Sequence, residues 1–289
     1  KLFLESKHTG QQALRVFVNT VLAESWEENE GDGVETNDIM ARATHFETPL
    51  PDSSIGVLCA SADVQADRIE TLVCGYSNSQ TWVVGFQIFY GSPTSESLWL
   101  EVEEYLKTTW QHPSGQDLRI TRSFIDSGYE TGAVYNFCRK LESLGVRAIK
   151  GVGGSNRAEI GRPTKNNTSR CNVFPLGVNT LKTQILARLK IDDPKDSGFI
   201  NFPDFLDEEF FLQLTSERLI KRYVKGIPRM EFKQMRPRNE ALDLMVYNLA
   251  AFRSLNANMS VIQKKLEDIR KVAPKKRPQP RAKNWATNW

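Results

Sequence analysis

The clearest pattern of apolar and polar positions runs from Ile55 to Tyr90. The stretch Ile55-Gly56-Val57-Leu58-Cys59-Ala60-Ser61-Ala62-Asp63-Val64 is almost unbroken in its apolarity, as a strand covered on both faces requires. Ile69 to Tyr76 and Thr81 to Tyr90 read as two more strands, and the short polar turns between them predict an antiparallel meander. Helical spacing then takes over. Pro93 opens a helix running through Trp110, with Leu98, Val102, Tyr105 and Leu106 on one face. A strand over Leu118 to Ile125, a helix from Thr131 to Leu144 stopped by Gly145, and a short strand over Val146 to Lys150 follow.

The flanks are plainer. Leu14, Phe17, Val18, Val21 and Leu22 recur at helical spacing and predict a helix over Gly10 to Trp26, broken by Gly31-Asp32-Gly33. Residues 34–54, with Pro49 and Pro51, read as a connector wrapping the domain. Beyond Lys150 comes a polar loop, Gly153 to Arg170, and then a strand over Cys171 to Pro175. A helix over Asn179 to Leu189 follows, with Asn179 or Thr180 as its cap, and another over Phe205 to Leu219. Arg222 to Met235 reads as a hairpin about Gly226-Ile227-Pro228, and Asn239 to Leu255 as a strongly apolar helix. Three strands, helix, strand, helix, strand implies crossover connections and parallel pairing in the second half. That is the order of an RNase H-like α/β fold, a mixed sheet with helices on both faces. The expected divisions are an N-terminal helix and connector over 1–52, the α/β domain over 53–256, and a basic tail over 257–289.

Composition adds limits. With 289 residues, 40% hydrophobic and 25% charged, the chain can bury a full core. Its longest apolar runs are too short to span a bilayer. It starts at Lys1 without a secretory leader pattern, so a fragment of a longer protein is expected. The net charge of +3 conceals a local excess: Lys264 to Lys283 holds nine Lys or Arg against Glu267 and Asp268, a segment expected to be solvated or to meet an acidic partner. The four cysteines form no CxxC pair and histidines number three, which argues against structural zinc and for buried thiols in a reducing cytoplasm.

The chemistry lies in carboxylates. Asp63 ends an otherwise apolar strand, where an uncompensated charge is costly. If the first hairpin turns at Ala66-Asp67, Val64 faces Ile69 and Asp63 faces Glu70, two like charges about 5 Å apart at Cβ, a geometry that invites a cation. The same register sets Cys59 opposite Cys74, close enough for a disulfide in oxidising buffer. Asp126 ends the strand Arg122-Ser123-Phe124-Ile125 at the carboxyl edge where open α/β sheets bind ligands. Asp243 sits in the first turns of the last apolar helix with Val246 and Tyr247 beside it, so it faces protein rather than water. Magnesium and manganese favour such hard oxygen ligands, and two such ions clamp the attacking water and leaving oxygen of a phosphodiester. His8, His45 and His112 lie outside these motifs.

At Phe17-Val18-Asn19-Thr20-Val21-Leu22-Ala23, Ser61-Ala62-Asp63-Val64-Gln65, Asp126-Ser127-Gly128-Tyr129, Phe210-Phe211-Leu212-Gln213-Leu214 and Asn239-Glu240-Ala241-Leu242-Asp243 the chain resembles the nuclease domain of the large terminase subunit of tailed bacteriophages, in the lambda-like branch. The resemblance spans roughly residues 14 to 253. It implies an RNase H-like endonuclease that cuts concatemeric viral DNA during packaging with Mg2+ or Mn2+, two ions in all, in the host cytoplasm. Asp63, Asp126 and Asp243 match its acidic positions, and Glu70 a further one, so these are the expected metal ligands. Implied partners are double-stranded DNA, a preceding ATPase domain of the same chain, a small terminase subunit and the capsid portal, with no membrane. No GxxxxGK[ST] motif is present, so the ATPase lies outside this sequence. Arg157, Arg162, Lys165 and Arg170 of the polar loop are the expected phosphate contacts. A junction resolvase or transposase-type recombinase would share the acidic cluster, and a catalytically inactive DNA-binding or assembly module would keep the fold without metal.

Overall fold

The computed structural model describes residues 17, 21, 27–29, 33–154, 157–166, 168–224 and 227–272. Apart from Phe17 and Val21, the expected helix Gly10–Trp26 lies outside them, as does the basic segment beyond residue 272. In chain order the elements are β1 (Glu27–Asn29), α1 (Thr36–Met40), β2 (Val57–Val64), β3 (Arg68–Tyr76), β4 (Thr81–Tyr90), α2 (Glu96–Leu106), β5 (Thr109–Gln111) and β6 (Asp117–Asp126). Then come α3 (Thr131–Lys140), β7 (Val146–Val152), β8 (Thr164–Lys165), β9 (Asn172–Gly177), α4 (Val178–Leu189) and β10 (Ile200–Asn201). The last are α5 (Glu208–Leu214), β11 (Glu217–Val224), β12 (Ile227–Gln234), α6 (Glu240–Ser254) and α7 (Met259–Val272).

The main sheet runs β10-β4-β3-β2-β6-β7-β9-β8, with β5 hydrogen-bonded to β6 off that path. β2, β3 and β4 form the antiparallel meander, and β6, β7 and β9 continue parallel to β2. This is the RNase H-like arrangement. β2 is central and every one of its residues is buried, which explains its unbroken apolar run. One face of the sheet packs under α4, α5 and α6 through Cys59, Leu72, Phe124, Ile149 and Leu181. The other packs under α2 and α3 through Leu58, Ala60, Ile125, Val102 and Phe137. Helices therefore cover both faces, as the pattern predicts. A second, three-stranded sheet, β1-β11-β12, stands apart from the main one.

Several boundaries differ from expectation for local reasons. The helix expected to reach Trp110 ends at Leu106, because Thr109–Gln111 pairs with β6 instead. The helix expected over Phe205–Leu219 shrinks to α5. Asp207 caps it by accepting from the Phe210 amide at 2.9 Å, and from Glu217 the chain is claimed by pairing with β12. Gly177, not Asn179 or Thr180, precedes α4; the Thr180 hydroxyl donates to the Arg157 carbonyl at 3.0 Å. Gly145 stops the segment after α3 as expected: its φ is +84° and a Cβ there would lie 2.4 Å from the Thr121 carbonyl oxygen. Part of the expected tail is also folded, since α7 docks by burying Met259 and Leu266, and the four cysteines are free thiols, all buried.

α6 crosses β2 and β3 and is pinned there by a polar residue. Asn248 is fully buried, and its side-chain amide donates to the carbonyls of Cys59 (3.2 Å) and Leu72 (3.0 Å) while accepting from the Tyr76 hydroxyl (2.9 Å). Irregularities in pairing at Leu58/Cys59 and Val73/Cys74 occur beside these carbonyls. Replacing Asn248 by Ala strands the Tyr76 hydroxyl and opens a cavity, so we expect a loss on the order of 3 kcal/mol. Urea unfolding checks this: the midpoint should fall with an unchanged m-value, and an unmoved midpoint would show that the pin is dispensable.

Candidate active site

Parallel pairing of β2 with β6 sets Ala62 beside Ile125, so Asp63 and Asp126, one residue further along each strand, emerge together at the carboxyl edge of the sheet. α6 begins at the same edge and brings Asp243 in its first turn. The Asp126 charge reaches both of the other carboxyls. Asp63 is pushed up to about 7, first by burial and then by the Asp126 charge, with Asp243 and Glu240 adding to it and the Gln65 hydrogen bond opposing it. Burial also raises Asp243, against the lowering pull of Lys182, and the Glu217 and Asp126 charges raise it further. Asp126 is raised by burial and eased by the amides of Gly128 and Ser127 and by Lys150.

Each carboxylate nonetheless turns to a donor of its own. Asp63 Oδ2 accepts from Gln65 Nε2 at 2.6 Å, and Asp126 Oδ2 from the Gly128 amide at 2.9 Å. Asp243 Oδ1 meets Lys182 Nζ at 2.9 Å, while its Oδ2 accepts from Asn239 Nδ2 at 2.9 Å. Among the described residues, no three His, Cys, Asp or Glu close around a point tightly enough to hold an ion. The donor set still fits a hard divalent cation. It is all oxygen, Asp63 is buried with Asp126 and Asp243 partly so, and the Asp126 and Asp243 charges raise the proton affinity of Asp63, a repulsion that a cation relieves.

Glu70 lies opposite Asp63, in the register expected, and is fully buried. Its charge is met from elsewhere. Glu70 Oε1 accepts from Arg68 Nε and Arg238 Nη2, both at 2.7 Å; Arg68 Nη2 also donates to Glu240 Oε1 at 2.7 Å, and Arg238 Nε lies 3.3 Å from Glu240 Oε2. Two acids and two guanidiniums form a closed ring that ties the entry of α6 to β3, and of its oxygens only Glu70 Oε2 is left buried without a partner. Like charges face each other across β2 and β3 because guanidiniums stand behind one of them.

The polar loop does not fold over the aspartates as a unit. It runs antiparallel along the edge strand β9, with Ala158 bonded to Gly177, Ile160 bridged to Leu176 and Lys165 paired with Asn172. All four basic residues are exposed, but Arg157 lies at the acidic end of the sheet, while Lys165 and Arg170 lie at the other end of β9, roughly 15 Å away at about 3.3 Å per residue. Sequence reasoning missed Lys182. It lies 2.6 Å from Glu217 Oε1, which also accepts from Asn239 Nδ2 at 2.7 Å. Burial alone would lower the Lys182 ammonium; the Asp243 and Glu217 carboxylates outweigh it and hold it above its usual range. Its signal was available: Lys182 shares the buried stripe of α4 with Leu181, Ile185 and Leu189, and a lysine on such a stripe needs a partner.

An RNase H-like sheet with this acidic edge defines the class. The chain matches the family described as "Terminase large subunit gpA, endonuclease domain" over residues 1–265, and it belongs to that family, whose members are endonucleases, hydrolases acting on DNA. It is 32% identical over 247 residues to the large terminase subunit of Escherichia phage lambda, covering 83% of this chain and 38% of that one. It is 31% identical over 251 residues to the large terminase subunit of Enterobacteria phage P21, covering 83% and 39%. The chain thus spans about two-fifths of the length of these curated relatives. Among solved structures it is similar to a mutant nuclease domain of the large terminase subunit gp2 of bacterial virus Sf6 with manganese (TM-score 0.42, 13% identity, 74% of this chain and 97% of that one). It is also similar to the human cytomegalovirus terminase nuclease domain, manganese-soaked and inhibitor-bound (TM-score 0.40, 12% identity, 79% and 96%). Likenesses this distant fix no residue of the site.

The raised Asp63 carboxyl has a consequence for stability. The folded state binds this proton more tightly than the unfolded chain does. Without metal, stability therefore falls as pH rises from about 4 through about 7. Asp63→Asn removes that penalty and should stabilise the metal-free protein at pH 8 by something on the order of 2–4 kcal/mol, with little effect near pH 4. Urea unfolding in EDTA at several pH values is the measurement. A variant less stable than the parent at pH 8 would contradict the assigned repulsion.

Proposed function

We propose that this domain cuts concatemeric viral DNA during genome packaging, and that Asp63, Asp126 and Asp243 hold two divalent ions, Mg2+ or Mn2+, for phosphodiester hydrolysis. The observation that carries the reading is that three acids, remote in sequence, share one edge of the sheet, where the Asp126 and Asp243 charges raise the Asp63 carboxyl. When bound, such ions supply a nucleophilic water at neutral pH and absorb the charge that develops on the phosphate.

The chain's own residues set the stage. The amides of Ser127 and Gly128 orient Asp126. Lys182 and Asn239 orient Asp243 and offset its charge in the metal-free site. Arg68 and Arg238 neutralise Glu70 behind Asp63, so Glu70 supports the site through that ring rather than as the first ligand to bind. Arg157 at the acidic end of β9, Arg162 beside the middle of that strand, and Lys165 and Arg170 at its far end would hold successive phosphates of the duplex. Because the chain spans only part of its relatives' length, a preceding ATPase domain, a small terminase subunit and the capsid portal belong to the same proposal, as does action in the host cytoplasm. Among the described residues, no helix is long and apolar enough to cross a membrane.

A plasmid-nicking assay tests the reading. Wild type should nick supercoiled DNA with magnesium or manganese and stop in EDTA. Asp63→Ala and Asp243→Asn should lose about 10³-fold or more in rate while remaining folded by circular dichroism. A fully active Asp243→Asn would remove Asp243 from the ligand set, and metal-independent nicking would remove the mechanism.

A further inference from the structure

The acidic edge is flanked by two exposed tyrosines that the catalytic reading does not use. Tyr90 ends β4 and is 75% exposed; Tyr129 lies just past Asp126 and is 44% exposed. β4 runs parallel to β2, with β3 between them, so Tyr90 lies at the same edge as Asp63. It is paired with Arg68, which puts it on the α6 side of the sheet with Glu70 and Asp63. β4 and β6 are three strand spacings apart, or about 14 Å. Along this edge the backbone of Asp63 on β2 therefore lies between Tyr90 at the end of β4 and the turn after Asp126 that carries Tyr129.

Both are held by rigid backbone. The chain after Tyr90 is tied back by the Gly91 amide, which donates to the Asp67 carbonyl at 2.8 Å. The turn carrying Tyr129 is anchored by Ser127, whose hydroxyl and amide both donate to the Ile149 carbonyl, at 2.6 and 3.0 Å. The Thr131 hydroxyl closes the turn on the Ser127 carbonyl at 2.8 Å. Glu130 is left-handed, with φ of 42°, a conformation unfavourable for a residue with a side chain. Strain of this kind beside a site, used to present an exposed aromatic ring, points to a contact with something outside the chain.

The surroundings decide what that is. A cation added beside three carboxylates would pair with them, as Lys182 does with Asp243. A neutral aromatic side chain escapes that fate. Its ring packs on deoxyribose and base faces, and its hydroxyl donates to phosphate oxygen. We propose that Tyr90 and Tyr129 grip the DNA strand on either side of the phosphate presented to the aspartates. This rests on the acidic edge being the cutting centre.

The test separates the two claims. Binding of a fluorescently labelled 20-base-pair duplex is measured by anisotropy in EDTA, where no cutting occurs, and nicking is measured with manganese. Tyr90→Ala and Tyr129→Ala should each weaken binding about tenfold and raise KM with kcat unchanged, while Tyr→Phe at either position retains most of the affinity. Melting temperatures should not move, because both rings are exposed. If wild type fails to nick but the alanine variants still lose binding, the catalytic reading falls and with it the placing of a scissile phosphate, while DNA contact by the two tyrosines is upheld. If the double alanine variant binds and nicks as wild type does, or if it loses kcat and melting temperature together, the grip is overturned.

Discussion

The structure depends on how buried negative charge is tolerated at one edge of a sheet. Asp63, Asp126 and Asp243 arrive on two parallel strands and a helix, and burial withholds the water that would otherwise screen them. A fold that only maximised its own stability would place apolar residues there. This one divides the load. Asp126 leans on backbone amides, Asp243 on an ammonium and an amide side chain, and Asp63 on little more than Gln65. Asp63 is pushed up to about 7, first by burial and then by the Asp126 charge, a repulsion that an added cation would relieve.

The neighbouring charges show the same economy. Glu70 and Glu240 lie close behind the site, yet Arg68 and Arg238 bind them into a ring, so this second group of acids adds little net charge. The ring also joins β3 to the start of α6, and Asn248 joins the same helix to β2 and β3 two turns later. Asp243 is held in place by polar contacts on both sides of it along the helix. Breaking a buried polar tie of this kind costs more than the tie contributes in isolation, which is how a helix can carry a charged residue to a sheet edge in fixed register.

Much of this was legible in the sequence. The apolar run of β2 gave away a central strand, and the hairpin at Ala66-Asp67 fixed the register of Asp63 against Glu70 and of Cys59 against Cys74. What could not be read was set by contacts between distant segments. Glu217 leaves its expected helix because β12 pairs with β11, and the polar loop becomes an edge of the sheet because β9 has a free side. The guanidiniums beside Glu70 come from positions 68 and 238, and no local rule links them. Lys182 was the exception, a lysine in an apolar stripe that could have been questioned from the sequence alone.

The proposed chemistry requires that the three aspartates take up divalent metal. The most direct measurement is a calorimetric titration of Mn2+ into the metal-free protein at pH 8, beside the Asp63→Ala and Asp243→Asn variants. Saturable heat is expected in the parent protein, lost or greatly weakened in both variants. Absence of heat in the parent, or binding that persists undiminished in the variants, would contradict it.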